Sequence, residues 1–148
     1  MSHLFSHLRV SSEFSISQGL LTIDQIVENA SRLSMPSIAL TDKSNMFGMV
    51  KFFNKCESAG IKPISGVTIR TIFDGDDKSY EILCLAKTNI GHKNLMKIIS
   101  NAHNSNSFNV PIIKFDDLIS LKDDILIISG GRGTHIFEYL KFNNFEDA

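Results

Sequence analysis

The sequence contains little of what marks the specialised classes of protein. It has no Trp, two Cys and three Pro among its 148 residues. Fifteen basic and sixteen acidic residues leave a net charge of −1, so nothing overall resembles the basic footprint of a nucleic-acid-binding protein. No apolar run approaches the roughly 18 residues of a membrane span, and the N-terminus lacks the basic-then-apolar pattern of a signal peptide. These absences predict a cytoplasmic protein with no membrane partner.

The composition that remains is that of a folded globular protein. Hydrophobic residues make up 43% and charged residues 21% of the chain. A chain of this length is one domain or a piece of one, and it is long enough to bury a core. Cys56 and Cys84 each lie inside an apolar pattern. We therefore expect two reduced core thiols rather than a disulfide or a pair of zinc ligands.

The first half of the chain alternates between helix and strand patterns. Thr22 and Gln25 have the spacing of a capping box, and apolar residues at helical intervals then predict a helix over residues 23–33. Residues 37–40 predict a short buried strand, and a second helix ends at Gly60. The predicted inward residues of that second helix are Met49, Val50, Phe53 and Cys56.

The most distinct local pattern is a β-hairpin over about residues 67–86. A strand that opens at Lys62 alternates apolar and polar residues as far as Phe73, and a return strand spans residues 80–86. The loop between them contains Asp74 and Gly75, a pair that favours a tight turn.

The second half continues the alternation of helices and strands. The predicted elements are a helix around residues 95–102, a surface loop over 101–109, a short helix over 115–121, a fully buried strand over 125–129, a glycine-rich turn over 130–133 and a helix over 134–142. Strands alternating with helices predict an α/β fold with a parallel sheet and crossover helices, to which the hairpin is an addition.

Residues 5–10 predict the first strand of that sheet. Alternation would place His7 and Arg9 on one face and Leu8 and Val10 on the other. Two side chains at positions i and i+2 often form part of a metal or phosphate site. Arg9 cannot be a metal ligand, because a guanidinium has donors and no acceptor. The stretch is typical of a ligand strand whose second ligand has been lost.

Three stretches in chain order carry a family pattern. They are His7-Leu8-x-Val10 with Glu13-Phe14-Ser15 and Gly19, then Ala39-Leu40-Thr41-Asp42 with Asn45-Met46-Phe47-Gly48, then Gly60-Ile61-Lys62-Pro63-Ile64 with Gly66. Asn94-Leu95 after Gly91, and Ile127-Ile128-Ser129-Gly130-Gly131, extend the likeness. The ordered set resembles the polymerase and histidinol phosphatase (PHP) domain, and most closely the amino-terminal PHP domain of the bacterial DNA polymerase III alpha subunit.

The resemblance implies a distorted, TIM-barrel-like (β/α)7 barrel with its site at the carboxyl ends of the strands. Residues 1–148 would then be the N-terminal portion of a PHP domain, with the later strands and the polymerase core absent. The hairpin near residues 67–86 would be an insertion in this partial barrel.

The site positions depart from the pattern of an active family member. Such a member holds divalent metals with His-x-His-x-His in the first motif, an acidic residue before its glycine, Asp-His in the second motif and Glu after the third. Here those vestigial positions read His7, Arg9, Ser11, Gln18, Asp42, Lys43 and Thr68. His7 and Asp42 alone keep a ligand type, fewer than a zinc or multimetal site needs. We therefore expect no catalytic, cofactor-binding or metal-binding residue among them.

The replacements suggest a structural role for these positions. Arg9 and Lys43 could pair with Asp42 or Glu13, so that a salt-bridge network replaces the metal cluster. We favour His7 as a vestigial site residue, and the alternatives are a hydrogen-bonded strand histidine or a working ligand. Asp42 could simply cap the turn that follows its strand.

Other candidates have structural interpretations that we favour. His92, His103 and His135 lack ligand spacing and are expected on the surface. Residues 130–133 are expected to form a turn, although backbone amides there could cradle a phosphate. The three phenylalanines near the second helix are expected in the core, although one of an adjacent pair must lie nearer solvent or a partner. They are Phe47, Phe52 and Phe53.

The resemblance implies a structural and docking role. The parent chain would synthesise DNA with magnesium, whereas this fragment would bind no cofactor and be catalytically inactive. Its partners would be the rest of the alpha chain and the epsilon proofreading exonuclease, with DNA contacted only through the parent polymerase. The alternative is a stand-alone metal-dependent phosphoesterase or pyrophosphatase of the same superfamily, which would need the lost histidines.

Overall fold

A computed structural model describes residues 5–16, 18–75, 77–104, 111–129, 131 and 134–141. The chain forms two compact units, Met1–Val67 and Thr68–Ala148. The elements in chain order are α1 (Ile23–Arg32), β1 (Ser37–Leu40), α2 (Met49–Ser58), β2 (Lys62–Ile72), β3 (Ser79–Ala86), α3 (Asn89–Asn104), β4 (Ile112–Lys114), α4 (Phe115–Ile119), β5 (Ile125–Ser129) and α5 (His135–Lys141). No helix among the described residues is long and apolar enough to cross a membrane.

The first unit packs two helices against a parallel strand pair. The predicted capping box is confirmed, because the Thr22 side chain accepts from the Gln25 backbone amide and the Gln25 side chain accepts from the Thr22 amide. Strand β1 pairs in parallel with the first residues of β2, from Ser37 beside Lys62 to Leu40 beside Ser65. The buried core of this unit includes Ile23, Ile26, Val27, Ala30, Met35, Ile38, Leu40, Met49, Phe52, Cys56 and Ile61.

Two of the four predicted inward residues of α2, Met49 and Cys56, are confirmed, and two are not. Met49, Phe52 and Cys56 are buried, whereas Val50 is 75% exposed and Phe53 is 38% exposed. The expectation that Phe47 lies in the core is also wrong, since it is 76% exposed. Helical spacing is satisfied equally well by the predicted set and by the set that is buried. Packing against α1 decides which residues of α2 are buried.

The predicted hairpin is confirmed. Strand β2 continues from the first unit into the second and ends at Ile72, and β3 follows. Gly75 in the connecting turn has a φ of +85°, a conformation that glycine adopts without strain. The strands are hydrogen-bonded in the order β1-β2-β3-β5, with β4 beside β2, and among the described residues they form an open sheet rather than a closed barrel.

The prediction of a parallel sheet with an added hairpin is confirmed only in part in the second unit. Strand β4, which was not predicted, pairs in parallel with the end of β2, but β5 pairs antiparallel with β3. The expectation of a fully buried β5 is also wrong, because Ile125 is buried and Leu126 is 47% exposed. An all-apolar strand sequence does not distinguish a buried strand from one whose face is half covered.

Three further predictions for this unit have mixed outcomes. Helix α3 continues to Asn104, so Asn101 to Asn104 do not form a loop. His135 does not lie simply on the surface, because its ring stacks on Phe73 with centroids 4.1 Å apart and also contacts Tyr80 and Tyr139. Of the predicted turn at 130–133, only Gly131 lies within the described residues.

Residues 5–10 are extended beside β1 without forming a regular strand. The amide of Ala39 donates to the carbonyl of His7, and the amide of Thr41 donates to the carbonyl of Val10. At Val10 the Thr41 hydroxyl takes the place of a backbone partner and accepts from the Val10 amide at 3.0 Å. A side chain therefore interrupts the backbone hydrogen-bond ladder at Val10.

Candidate functional site

Asp42 lies at the centre of the polar cluster that follows β1, and it is fully buried. Its Oδ1 accepts from the Ser12 amide at 2.7 Å and from the Ser15 hydroxyl at 2.6 Å. Its Oδ2 accepts from the Ser12 hydroxyl at 2.7 Å. Both carboxylate oxygens are thus directed at the loop 12–15. Charge-assisted hydrogen bonds of this kind are short. They replace the hydrogen bonds to water that a carboxylate loses when it is buried.

Two further side chains join the loop to the residues after Asp42. The Ser15 hydroxyl, which donates to Asp42, also accepts from the Lys43 amide at 3.0 Å. The Asn45 amide nitrogen donates to the carbonyls of Phe14 and Lys43, at 2.9 and 3.0 Å. We call Ser12, Ser15, Asp42 and Asn45 the serine–aspartate cluster. It fastens together two segments that are about 30 residues apart in sequence.

The loop that carries the two serines is shaped by its own backbone. The Glu13 amide donates to the carbonyl of Leu21 at 2.9 Å, and the amides of Gln18 and Gly19 both donate to the carbonyl of Ser15. Gly19 is required at its position because a Cβ there would overlap the carbonyl oxygen of Ser12. The tight return of the chain at Gly19 therefore places both serine hydroxyls against Asp42.

Four of the vestigial positions line one groove, which lies between residues 7–11 and α1. They are His7, Arg9, Ser11 and Gln18. The groove has a volume of about 450 Å³, and its other wall is largely apolar. His7 and Arg9 are exposed, and the His7 ring packs edge-on against Phe5 at 4.7 Å between centroids. His7 and Arg9 line the same groove, in agreement with the prediction that they share a face, whereas Val10 lines it too, contrary to the predicted alternation.

The two remaining vestigial positions differ from these four. Lys43 is half-buried, and its backbone takes part in the serine–aspartate cluster. Thr68 is buried on β2 and belongs to the second unit, whereas the other vestigial positions belong to the first. The alternative in which Asp42 caps its own turn is not the arrangement seen, since its carboxylate accepts from residues 27 and 30 positions earlier.

The residues present do not fit the metal cluster that the resemblance associates with these positions. The Asp42 oxygens accept from three protein donors, so a cation would have to displace hydrogen bonds that already satisfy a buried group. Arg9 supplies no acceptor. Within the part of the chain that the structure describes, no group of three or more His, Cys, Asp or Glu side chains could hold a metal ion. The expectation that the protein binds no metal in solution stays a prediction.

Sequence reasoning missed the partners of Asp42. Ser12 is fully buried and Ser15 is 1% exposed, although serine is a residue type that is mostly found at the surface. The available signal was two serines three residues apart at the end of an extended segment. Nothing local shows that their hydroxyls point at a carboxylate about 30 residues later. The proposed pairing of Arg9 and Lys43 with carboxylates is not decided by these contacts and stays a hypothesis.

Comparison with known proteins identifies the family. Residues 7–148 match the PHP domain. The chain is 36% identical over 153 aligned residues to the DNA polymerase III subunit alpha of Borreliella burgdorferi, with 97% of the chain covered. It is 40% identical to the same subunit of Escherichia coli strain CFT073 over 86% of the chain, and 33% identical to that of Bacillus subtilis over 97%. The chain spans only 11–13% of the length of these relatives.

Solved structures support the fold. A Bifidobacterium adolescentis protein assigned as a metal-dependent phosphoesterase matches 68% of this chain with a TM-score of 0.53 and 19% identity, and the match covers 34% of that protein. An amidohydrolase from Chromobacterium violaceum matches 67% of the chain with the same TM-score. The family match and the aligned relatives agree with the motif order found in the sequence. The chain belongs to the PHP domain family and corresponds to the N-terminal region of DNA polymerase III alpha subunits.

Proposed function

We propose that the chain is the N-terminal portion of the PHP domain of a cytoplasmic DNA polymerase III alpha subunit, with a structural and docking role. Chemistry would belong to the parent polymerase, which uses magnesium to extend DNA. The chain itself would have no catalytic residue and no cofactor. Its partners would be the rest of the alpha chain and the epsilon proofreading exonuclease, and it would meet DNA only through the parent polymerase.

The observation that carries this proposal is the state of Asp42. In a metal-dependent enzyme a carboxylate at such a position must offer its oxygens to a cation. Here both oxygens accept hydrogen bonds from Ser12 and Ser15. The carboxylate is therefore used to hold two loops together. Arg9 and Lys43 at neighbouring motif positions add fixed positive charge, which disfavours a bound cation.

The five strands would form the first part of a (β/α)7 barrel that further residues of the parent polypeptide complete. The open sheet and the partial match to longer PHP structures support this interpretation. The phosphoesterase alternative gains no support from the match to a phosphoesterase structure, because a likeness at 19% identity concerns the fold alone.

The outward face of α2 supports a docking role. Phe47, just before α2, and Val50 and Phe53 on α2 are spaced three residues apart and are 76%, 75% and 38% exposed. We call these three residues the α2 stripe. Large apolar side chains that are exposed together favour contact with another protein, because their burial removes apolar surface from water.

Metal content is the measurement that tests the absence of a metal site. The purified chain is dialysed against buffer containing manganese and zinc, then against metal-free buffer, and analysed by mass spectrometry. We expect less than stoichiometric metal in the parent chain and no difference from Asp42→Asn. Stoichiometric metal that disappears in Asp42→Asn would overturn the proposal and favour the phosphoesterase alternative.

Docking is tested separately with the exonuclease subunit from the same organism. We expect a complex by biolayer interferometry, with its affinity reduced about tenfold or more by Phe47→Ser combined with Val50→Ser. Ile90→Ser is the matched control, since Ile90 is a 60% exposed apolar residue on α3. Failure to form a complex, or equal loss in the control, would contradict docking through the α2 stripe.

A further inference from the structure

The turn of the β2–β3 hairpin contains an aspartate that is directly followed by a glycine. Asp74 and Gly75 are both exposed, in the stretch between Ile72, where β2 ends, and Ser79, where β3 begins. They are the only Asp-Gly pair in the sequence, which has no Asn-Gly pair. Among the described residues, no atom beyond the chain neighbours of Gly75 lies within 4 Å of the position that a Cβ would take. The Gly75 nitrogen therefore belongs to a residue with open space where a side chain would lie.

The two strands that lead into and out of this turn are held together by contacts outside the exposed pair. The Thr71 hydroxyl donates to the Tyr80 carbonyl at 3.4 Å, and the rings of Phe73 and Tyr80 are 6.0 Å apart between centroids. Phe73 also packs against Phe115 at 4.4 Å and against His135 at 4.1 Å. Because none of these contacts involves the exposed pair, the backbone of the pair can change conformation while the hairpin stays closed.

We propose that Asp74 and Gly75 form a site of spontaneous isomerisation, at which aspartate becomes isoaspartate in the folded chain. The Gly75 nitrogen attacks Cγ of Asp74, and a nitrogen–carbon bond forms as one bond between Cγ and oxygen breaks. That oxygen leaves as water, with the proton of the Gly75 amide and one proton from solvent. The product is a five-membered cyclic imide, and no atom is oxidised or reduced.

Water then opens the imide at one of its two carbonyl carbons. Addition at Cγ restores aspartate, whereas addition at the former main-chain carbonyl carbon breaks the bond from that carbon to the Gly75 nitrogen. The second route gives isoaspartate, in which the chain runs from Cα of Asp74 through Cβ and Cγ to Gly75. The former main-chain carbonyl becomes a free carboxylate. The backbone thus gains one methylene group, and the mass of the chain is unchanged.

The residue after an aspartate governs how readily this reaction proceeds. A side chain on that residue crowds the approach of its nitrogen to Cγ, and glycine has no side chain. Asp77 lies in the same turn and is also exposed, but Lys78 follows it. The turn therefore contains an internal control, an exposed aspartate whose following residue has a long side chain.

The experiment incubates the full 148-residue chain at neutral pH, below its unfolding temperature. Samples taken over time are digested and analysed by liquid chromatography and mass spectrometry. Isoaspartate elutes separately at unchanged mass, and the imide appears as the loss of one water. We expect isoaspartate to accumulate at Asp74 severalfold faster than at Asp77, because only Asp74 precedes a glycine. Methyl transfer from S-adenosylmethionine by an isoaspartyl methyltransferase counts the isoaspartate independently.

Two matched variants locate the reaction. Asp74→Glu and Asp77→Glu each keep the charge of an exposed side chain, but glutamate would have to form a less favourable six-membered ring. We expect the isoaspartate signal to fall to background in Asp74→Glu and to be unchanged in Asp77→Glu. The two tyrosines of the chain, Tyr80 and Tyr139, both contact the His135 ring, and the sequence has no Trp. Intrinsic tyrosine fluorescence therefore shows whether this part of the chain stays native during the incubation.

The outcomes separate clearly. Isoaspartate that accumulates at Asp74 while the tyrosine fluorescence stays native, and that disappears only in Asp74→Glu, supports the proposal. Isoaspartate that forms no faster at Asp74 than at Asp77, or only after the fluorescence has changed to that of the unfolded chain, overturns it. The metal and docking measurements do not involve this turn, so the proposed function and this inference stand or fall separately.

Discussion

The Ser15 hydroxyl donates to Asp42 Oδ1 at 2.6 Å while accepting the Lys43 amide at 3.0 Å. A single hydroxyl thus connects the loop after residues 5–10 to the chain after β1.

Replacing Asp42 removes the acceptor on which the serine–aspartate cluster depends. In Asp42→Asn one carboxylate oxygen becomes an amide NH2 group, which cannot accept from the donors it faces. We expect the free energy of unfolding to fall by about 3 kcal/mol, because buried donors lose a charged partner. Urea denaturation followed by circular dichroism measures it. Asp24→Asn is the control, since Asp24 is only half-buried and its lysine partners are exposed, so its loss should matter much less. Equal losses in the two variants would show that the cluster is not a stabilising feature.

Coupling between Ser15 and Asp42 is the sharper test. Ser15→Ala is expected to lower the free energy of unfolding by roughly 1–3 kcal/mol. Because both residues belong to one network, the double variant should lose less than the sum of the single losses, by at least about 0.5 kcal/mol. A double-mutant cycle by urea denaturation gives this difference. Strict additivity would mean that the 2.6 Å contact contributes no interaction energy.

The close approach at Gly19 predicts a steric effect. A methyl group there would overlap the backbone oxygen of Ser12, which cannot move without disturbing the hydrogen bonds to Asp42. We expect Gly19→Ala to lower the free energy of unfolding by roughly 1–3 kcal/mol. Gly131→Ala is the matched control, because among the described residues no atom beyond its chain neighbours lies within 4 Å of the Cβ it would add. Thermal unfolding compares the two, and a harmless Gly19→Ala would argue against the tight loop.

The ion pairs of Asp24 predict an effect of pH. Lys51 and Lys55 each lie 2.7 Å from the Asp24 carboxylate, and their hydrogen bonds lower its pKa from 3.8 to about 2. A lowered folded pKa means that the ion pairs stabilise the fold above pH 3.8, and that this stabilisation is lost as the pH falls through about 2. The stability difference between the parent chain and Asp24→Asn should therefore shrink over that interval. Unfolding measured between neutral pH and pH 2 checks it, and a difference that is independent of pH would be inconsistent with the pairing.

Burial predicts that both thiols are unreactive in the folded chain. Burial raises the pKa of Cys84 to about 12 and that of Cys56 to about 11, so little thiolate forms at neutral pH. A disulfide reagent such as Ellman's reagent should react slowly with the native chain. It should react at once with two equivalents after denaturation, in agreement with two free cysteines. Fast native reaction at Cys84 would show that β3 opens locally.

Local patterns were enough to predict most elements of the fold. The capping box at Thr22 and the hairpin around Gly75 depend on neighbouring residues and on backbone conformation, and both are confirmed. Predictions that depended on which face meets the core were less successful. Val50 and Phe53 satisfy helical spacing as well as Phe52 does, and only packing against α1 decided that Phe52 is buried.

The candidate site was likewise predictable from the sequence in some respects and decided by the tertiary structure in others. The amino-acid sequence by itself determined the motif order and the family. It also determined that Arg9 and Lys43 cannot coordinate a cation as charged side chains, because residue identity sets which groups can accept one. The tertiary structure alone decided that Asp42 is bound by Ser12 and Ser15, that β5 runs antiparallel to β3, and that His7 and Arg9 share a groove with Val10. These relationships join residues that are distant in sequence, or they depend on the interruption of the backbone hydrogen bonds at Val10. Their geometry follows from how the chain packs and not from any local pattern.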